Sequence, residues 1–167
     1  RVTPSHRTRA VYSMTVHKGT LYAGTGHYDW QTVSTKTGEP AHVYRYLGGT
    51  SWEDCGNLGE NYRIVSLTSF DGELYAGTDV TGGAPRGPTT GKVYRYAGGK
   101  QWVDCGRLGE QEHVFALAAH NGSLYGGTNG EVYRYEGGTE WSYVGRPCGN
   151  TQIHSLEIYR GKLYAGT

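Results

Sequence analysis

The stretch "KVYRYAGGKQWVDCG", Lys92–Gly106, decides the fold, because the chain spells it three times. It reads "HVYRYLGGTSWEDCG" over His42–Gly56 and "EVYRYEGGTEWSYVG" over Glu131–Gly145. Tyr, Arg, the paired glycines and Trp hold their places while the residues between them vary. A second phrase comes before each copy and once more at 163–167. It is "LYAGT" at 21–25 and 74–78, "LYGGT" at 124–128, and "LYAGT" again at 163–167. Ahead of each lies an apolar run that ends in a glycine: "VYSMTVHKG", "IVSLTSFDG", "VFALAAHNG" and "IHSLEIYRG". A period of about 40–50 residues is the signature of a repeat architecture in which one supersecondary unit recurs.

Each complete unit holds four short strand candidates. The apolar run is the first, for example Ile64 to Phe70. A two-residue tip such as Asp71-Gly72 or Asn121-Gly122 closes a hairpin, because such pairs accept positive φ. Leu-Tyr-Ala-Gly-Thr is the second strand and Val-Tyr-Arg-Tyr the third. The Gly-Gly pair turns the chain again, and the fourth strand carries Trp52, Trp102 or Trp141. The unit is a four-stranded antiparallel meander. Side chains alternate across a strand, so Val93 and Arg95 point one way and Tyr94 and Tyr96 the other. Both faces are apolar, whereas an isolated sheet would keep one face wet. A sheet between two like sheets has no wet face, and four-stranded units of this length packed face to face describe the blades of a β-propeller.

The order of apolar strand, glycine turn, "LYAGT", "VYRY" and Trp resembles the kelch-type blade. "YEGGTEW" also resembles, in degenerate form, the Asp-box hairpin of sialidase-like propellers, with Glu136, Gly138 and Trp141 in the acidic, Gly and Trp places. Leu47 and Ala97 hold the acidic place in the other units, and the paired glycines of kelch become Ala-Gly-Thr in three of the four copies. The resemblance covers nearly the whole chain and implies an all-β β-propeller of four-stranded antiparallel blades. The expected repeats are 9–61, 62–112 and 113–151, followed by a half blade over 152–167, all within one domain or segment spanning 1–167. The half blade leaves one strand edge unpaired, and exposed edges invite another strand. The reading therefore expects more chain after Thr167, a second copy completing the ring, or edge-to-edge assembly. The chain starts with Arg, not Met, and is read as a processed chain, an excised domain or the ordered part of something longer.

Composition narrows the function. The chain has 167 residues, with 16 basic and 15 acidic side chains, and neither a basic stripe for nucleic acid nor a polybasic anchor. Its longest apolar runs are a few residues, too short for a membrane span. Three cysteines with no CxxC make neither a disulfide framework nor a zinc site. Cys55 and Cys105 occupy equivalent places and read as buried free thiols. The histidines lack metal-ligand spacing, and there is no GxSxG, no P-loop and no glycosidase carboxylate pair. No catalytic residue, metal or cofactor is expected. Asn121-Gly122-Ser123 fits a glycosylation sequon.

Candidate sites lie in the connections. The loop between second and third strands is long in the first unit (Gly26 to Ala41), long in the second (Asp79 to Gly91), and only Asn129-Gly130 in the third. A blade that closes with two residues does not need the insertions, and extra loop on a rigid scaffold is where binding resides. His27, Tyr28, Asp29 and Trp30 are the candidate ligand-binding residues, offering a flat apolar face and hydrogen-bonding groups suited to a sugar or peptide. Arg45, Arg95 and Arg134 read as structural, pairing with Asp54 and Asp104 or stacking on the Trp. Tyr22, Tyr75, Tyr125 and Tyr164 read as core. The expected function is a non-enzymatic binding or assembly module, secreted or on the cell surface. Its expected partner is a protein or glycan, with self-association possible through the open edge. Alternatives are a lectin-like binder using the first loop, a non-catalytic portion of a propeller hydrolase, and an extracellular fibre subunit.

Overall fold

The computed structural model describes residues 10–26, 40–79, 91–147, 149 and 152–167. The described residues form strands and turns with no helix. The first unit comprises β1 (Ala10–His17), β2 (Thr20–Gly26), β3 (His42–Gly48) and β4 (Ser51–Asn57). The second comprises β5 (Arg63–Phe70), β6 (Glu73–Asp79), β7 (Lys92–Gly98) and β8 (Gln101–Arg107). The third comprises β9 (Ala116–His120), β10 (Ser123–Gly127), β11 (Val132–Gly137) and β12 (Glu140–Gly145). A hairpin of β13 (Ser155–Tyr159) and β14 (Lys162–Gly166) follows. Within each unit every strand pairs antiparallel with the next.

The hairpin tips follow from local chemistry. Lys18-Gly19, Asp71-Gly72, Asn121-Gly122 and Arg160-Gly161 all place both central residues at positive φ. That conformation matches the right-handed twist of the flanking strands. The second turn is held by side chains. Tyr46, Tyr96 and Tyr135 each tilt against the Trp opposite on the next strand, with ring centroids 5.0, 4.9 and 5.0 Å apart. Each Tyr hydroxyl also donates to the carbonyl of the second turn glycine, at 3.1, 3.0 and 2.9 Å. The spelling Tyr-x-Gly-Gly-x-x-Trp is thus one self-locking hairpin.

The cores lie between units. One cluster joins Tyr22, Val43, Cys55 and Leu58 of the first unit to Ile64, Leu74 and Tyr94 of the second. A second joins Tyr75, Val93, Cys105 and Leu108 to Val114, Leu124 and Tyr133. A third joins Ala116, Ala118 and Val132 to Ile153 and Leu156 of the last hairpin. Val93 serves one cluster and its neighbour Tyr94 the other, which is why both faces of β7 are apolar. The junctions are sealed by the repeated phrase itself. The Trp102 indole donates to the Cys55 carbonyl at 2.9 Å, and Trp141 repeats the bond to Cys105 at 2.7 Å. Burial pushes the Cys55 and Cys105 thiols above their ordinary pKa, so neither is a reactive thiolate. Cys148 lies outside the described residues.

Side-chain partners, one exposure and one strand pairing go beyond or differ from the sequence reading. Arg45 pairs with Glu53, which faces it directly across β3 and β4, and Asp54 is taken by His42 and Lys100 instead. Arg95 faces Val103, so it reaches Glu73 at 3.8 Å, while Asp104 pairs with Lys92. Arg134 pairs with Glu136 on its own strand at 2.8 Å. Tyr22 and Tyr75 are buried, each covered by a Tyr of the next unit. Tyr164 is half exposed because no described strand follows β14 to cover it. Finally, a single pair, Gly26 with Arg63, links the first two units into one hydrogen-bonded sheet.

Urea melts test the junction. Trp102→Phe keeps an aromatic ring but removes the donor and part of the packed indole, and should cost about 1–3 kcal/mol. Gly106→Ala should cost more. Gly106 has φ +83°, and an added Cβ would overlap the backbone of Thr139 in the next unit. Wild-type stability in Gly106→Ala would contradict this close approach.

Candidate functional site

In an up-and-down unit the tips and Gly-Gly turns lie at one end, and the connections from second to third strand lie at the other. The loop-bearing end is built on a repeated clamp. The last residue of "LYAGT" turns its hydroxyl across the base of the loop. Thr25 Oγ1 donates to the His42 carbonyl at 2.8 Å and accepts from the His42 N–H at 3.0 Å. Thr78 does the same to Lys92, at 2.8 and 3.0 Å. Thr128 Oγ1 donates to the Glu131 carbonyl at 3.0 Å. Two long connections and one minimal turn therefore leave from the same hydrogen-bonded base. That base fixes the direction of the chain whatever length is inserted.

At the described stems of the two long connections sits a charged cluster absent from the sequence reading. Asp79, the last residue of β6, has no solvent exposure. It accepts from Arg63 on β5 and from the Nδ1 of His113, at the entry to the third unit. A buried carboxylate requires such partners, because an unpaired one would be strongly destabilising. Arg63 also lies over the Tyr12 ring, 5.3 Å from its centroid, and its backbone pairs with Gly26. It thus touches the stems of both long loops. The His113 ring stacks on Phe115 at 5.1 Å with a 13° interplanar angle, and Phe115 meets His154 at 5.5 Å. Tyr12, Arg63, His113, Phe115 and His154 come from four successive units and form a polar and aromatic floor. With Nδ1 engaged by Asp79, Nε2 is the His113 nitrogen left for other contacts. Aligning the repeats by their tips would have exposed this cluster, because Ala10, Arg63, His113 and Gln152 are equivalent and only the middle two are charge-bearing.

His27, Tyr28, Asp29 and Trp30 lie outside the described residues. The stem that leads to them is described. Beside it, His42 Nδ1 meets Asp54 at 2.9 Å. Lys100 of the second unit reaches the other Asp54 oxygen at 2.9 Å, and the Gly56 N–H donates at 2.8 Å. Burial alone would raise the Asp54 pKa. The hydrogen bonds from His42, Lys100 and Gly56 outweigh it and lower the pKa from 3.8 to about 2.

No family model matches the chain, and no curated protein matches it in sequence. Solved structures do match in shape. A catalytically inactive virginiamycin B lyase from Staphylococcus aureus, crystallised with quinupristin, superposes with a TM-score of 0.68 at 13% identity, over 98% of this chain and 51% of that one. A protein proposed to be a gluconolactonase gives 0.66 at 19% identity, over 98% and 58%. The extracellular domain of a proposed one-component system from B. thetaiotaomicron gives 0.64 at 16% identity, over 94% and 20%. This chain therefore spans less than two thirds of each of these proteins. The likeness, with the antiparallel strands and inter-unit cores, defines the fold as all-β and β-propeller-like.

Asp54 gives a pH signature. A carboxyl whose pKa is lowered on folding stabilises the protein fully above its unfolded value. That contribution disappears as the pH falls from 3.8 toward about 2. Asp54→Asn should flatten the acid limb of a melting-temperature profile across this window. An unchanged acid limb would show that these three bonds do not stabilise the first junction.

Proposed function

We propose that this chain is a β-propeller segment of kelch-like, four-stranded blades that works as a non-enzymatic binding module, with its ligand surface on the loop-bearing end. The observation that supports this reading most is the repeated Thr clamp. One base carries connections of very different length, so blade stability does not require the two long ones. Loops that the scaffold does not need, held on a base the scaffold makes rigid, are suited to recognition. The charged and aromatic floor under them adds hydrogen-bonding groups and a flat ring surface.

Within this reading His27, Tyr28, Asp29 and Trp30 are the ligand contacts, and the ligand is a glycan or a protein segment. Trp30 offers the flat face on which a sugar ring or an apolar side chain packs. The first loop is preferred to the second because the second carries no aromatic residue. Placement outside the cell belongs to the same proposal, in keeping with the extracellular-domain neighbour.

Two variants test the reading. Replacing residues 27–40 with Asn-Gly shortens the connection to four residues, close to the two of the third unit. It should leave stability within about 1 kcal/mol of wild type, because loop closure depends weakly on length. Trp30→Ala in the otherwise intact chain should reduce binding on a glycan array, or to a protein partner recovered by crosslinking, by about tenfold or more. Full binding by both variants would place the ligand surface elsewhere and contradict the proposal.

A further inference from the structure

At the opposite end, between the first two units, a groove of about 550 Å³ is lined by His17, Lys18, Tyr22, Arg45, Glu73, Arg95 and Tyr96, among others. Its size lies within the range of small-molecule sites. Three of its charged side chains are cationic and one is anionic. The walls are held by fixed contacts. Arg45 is anchored by Glu53, which is not part of the lining, and by the Tyr22 hydroxyl, and both raise its pKa. His17 Nδ1 meets Ser69 of the second unit at 2.9 Å. Burial, then the nearby Lys18 charge, lowers its pKa, with Glu73 opposing. Tyr22 packs edge-on against His17 at 6.0 Å and against Tyr96 at 6.1 Å. Arg95 is different. Its described ion-pair partner is Glu73 at 3.8 Å, beyond hydrogen-bonding distance.

The equivalent junction between the second and third units shows what the scaffold itself requires. The Tyr pair recurs there as Tyr75 and Tyr135 at 6.0 Å, and the indole bond recurs. The two guanidiniums recur, as Arg95 and Arg134, but the net positive charge does not. Asp71 stands where Lys18 stands, Phe70 where His17 stands, and Glu136, which pairs with Arg134, where Ala97 stands. The junction therefore forms without the net positive charge of the first groove. The Lys18 cation is therefore no requirement of the junction, and its charge adds to that of the two neighbouring guanidiniums.

We infer that this groove is a binding site for the carboxylate of a small ligand, of the size of one or two sugar rings, distinct from the loop-bearing surface. Arg95 supplies paired N–H donors that fit a carboxylate in the two-pronged manner of guanidinium groups. Lys18 and Arg45 add positive potential across the opening. Tyr22 and Tyr96 give the apolar edge against which the rest of the ligand lies.

The test is calorimetric or NMR titration of the whole chain with sodium D-glucuronate, with D-glucose as the neutral counterpart. Glucuronate should bind about tenfold or more tightly than glucose, and more weakly as salt is raised. Arg95→Ala should weaken it by about tenfold or more. Lys18→Asp should also weaken it while leaving the thermal melt unchanged, because Asp-Gly already forms the same tip in the second unit. Equal affinity for the two sugars, no binding of glucuronate, or glucuronate binding that is unaffected in both variants would each overturn the inference. Resonances of His17 and Tyr96 should shift on titration. Shifts confined to the loop-bearing end would also overturn it, while leaving the loop reading intact.

Discussion

The structure depends on one constraint: no unit can bury its own faces, so each must be covered by the next. The indole N–H of one unit donating to the Cys carbonyl of the unit before it is the polar expression of that constraint. A backbone carbonyl in an apolar junction needs a donor, and a Trp provides both the donor and the apolar surface. The glycine after each of these cysteines lets the two backbones approach closely enough for the bond to form. Removing the Trp, the Gly or the small buried thiol would alter the spacing between units rather than the strands within them. Local hairpin devices and inter-unit devices share the same few residues, which is why the phrase tolerates so little change in its Tyr, Gly and Trp.

This arrangement leaves the two ends of the units free to differ. At one end a threonine hydroxyl closes the base of every connection, so loops of any length can be carried. At the other end the turns are short and similar, and variation is limited to single side chains. Lys18, Asp71, Asn121 and Arg160 occupy equivalent tips with the same backbone geometry and four different chemistries. One end of the fold varies by insertion and the other by substitution, and both are compatible with one interior.

Much of the architecture was legible in the sequence. The tips, the Gly-Gly turns and the alternation of Val93 and Tyr94 across two cores follow from local chemistry and a period of two. Side-chain partnership was less legible. The recurrence of Asp54 and Asp104 suggests them as partners for the Arg residues, yet register puts Glu53 opposite Arg45 and Val103 opposite Arg95. Partnership depends on which residue of the next strand is directly across, and the bulges in the third-to-fourth strand pairing shift that by one. Tyr164 belongs to the same spelling as Tyr22 but lacks the covering ring, because burial here is a property of the following unit. The Arg63, Asp79 and His113 cluster and the cationic groove each draw on two units. A reading that takes one repeat at a time does not see them. Of the four residues singled out in the first loop, the sequence supplies the chemistry, and the structure adds only the clamped stem beneath them.

The central claim is that the indoles of Trp102 and Trp141 are bonded across the junctions between units. Hydrogen exchange of the indole N–H groups, followed by NMR on 15N-labelled protein, tests it most directly. Both should be strongly protected, exchanging on the timescale of the buried amides of β6 and slowing together with them as stability increases. Exchange of either indole at the rate of a free tryptophan side chain, while the β6 amides stay protected, would show that the units are held together without this bond and would contradict the account.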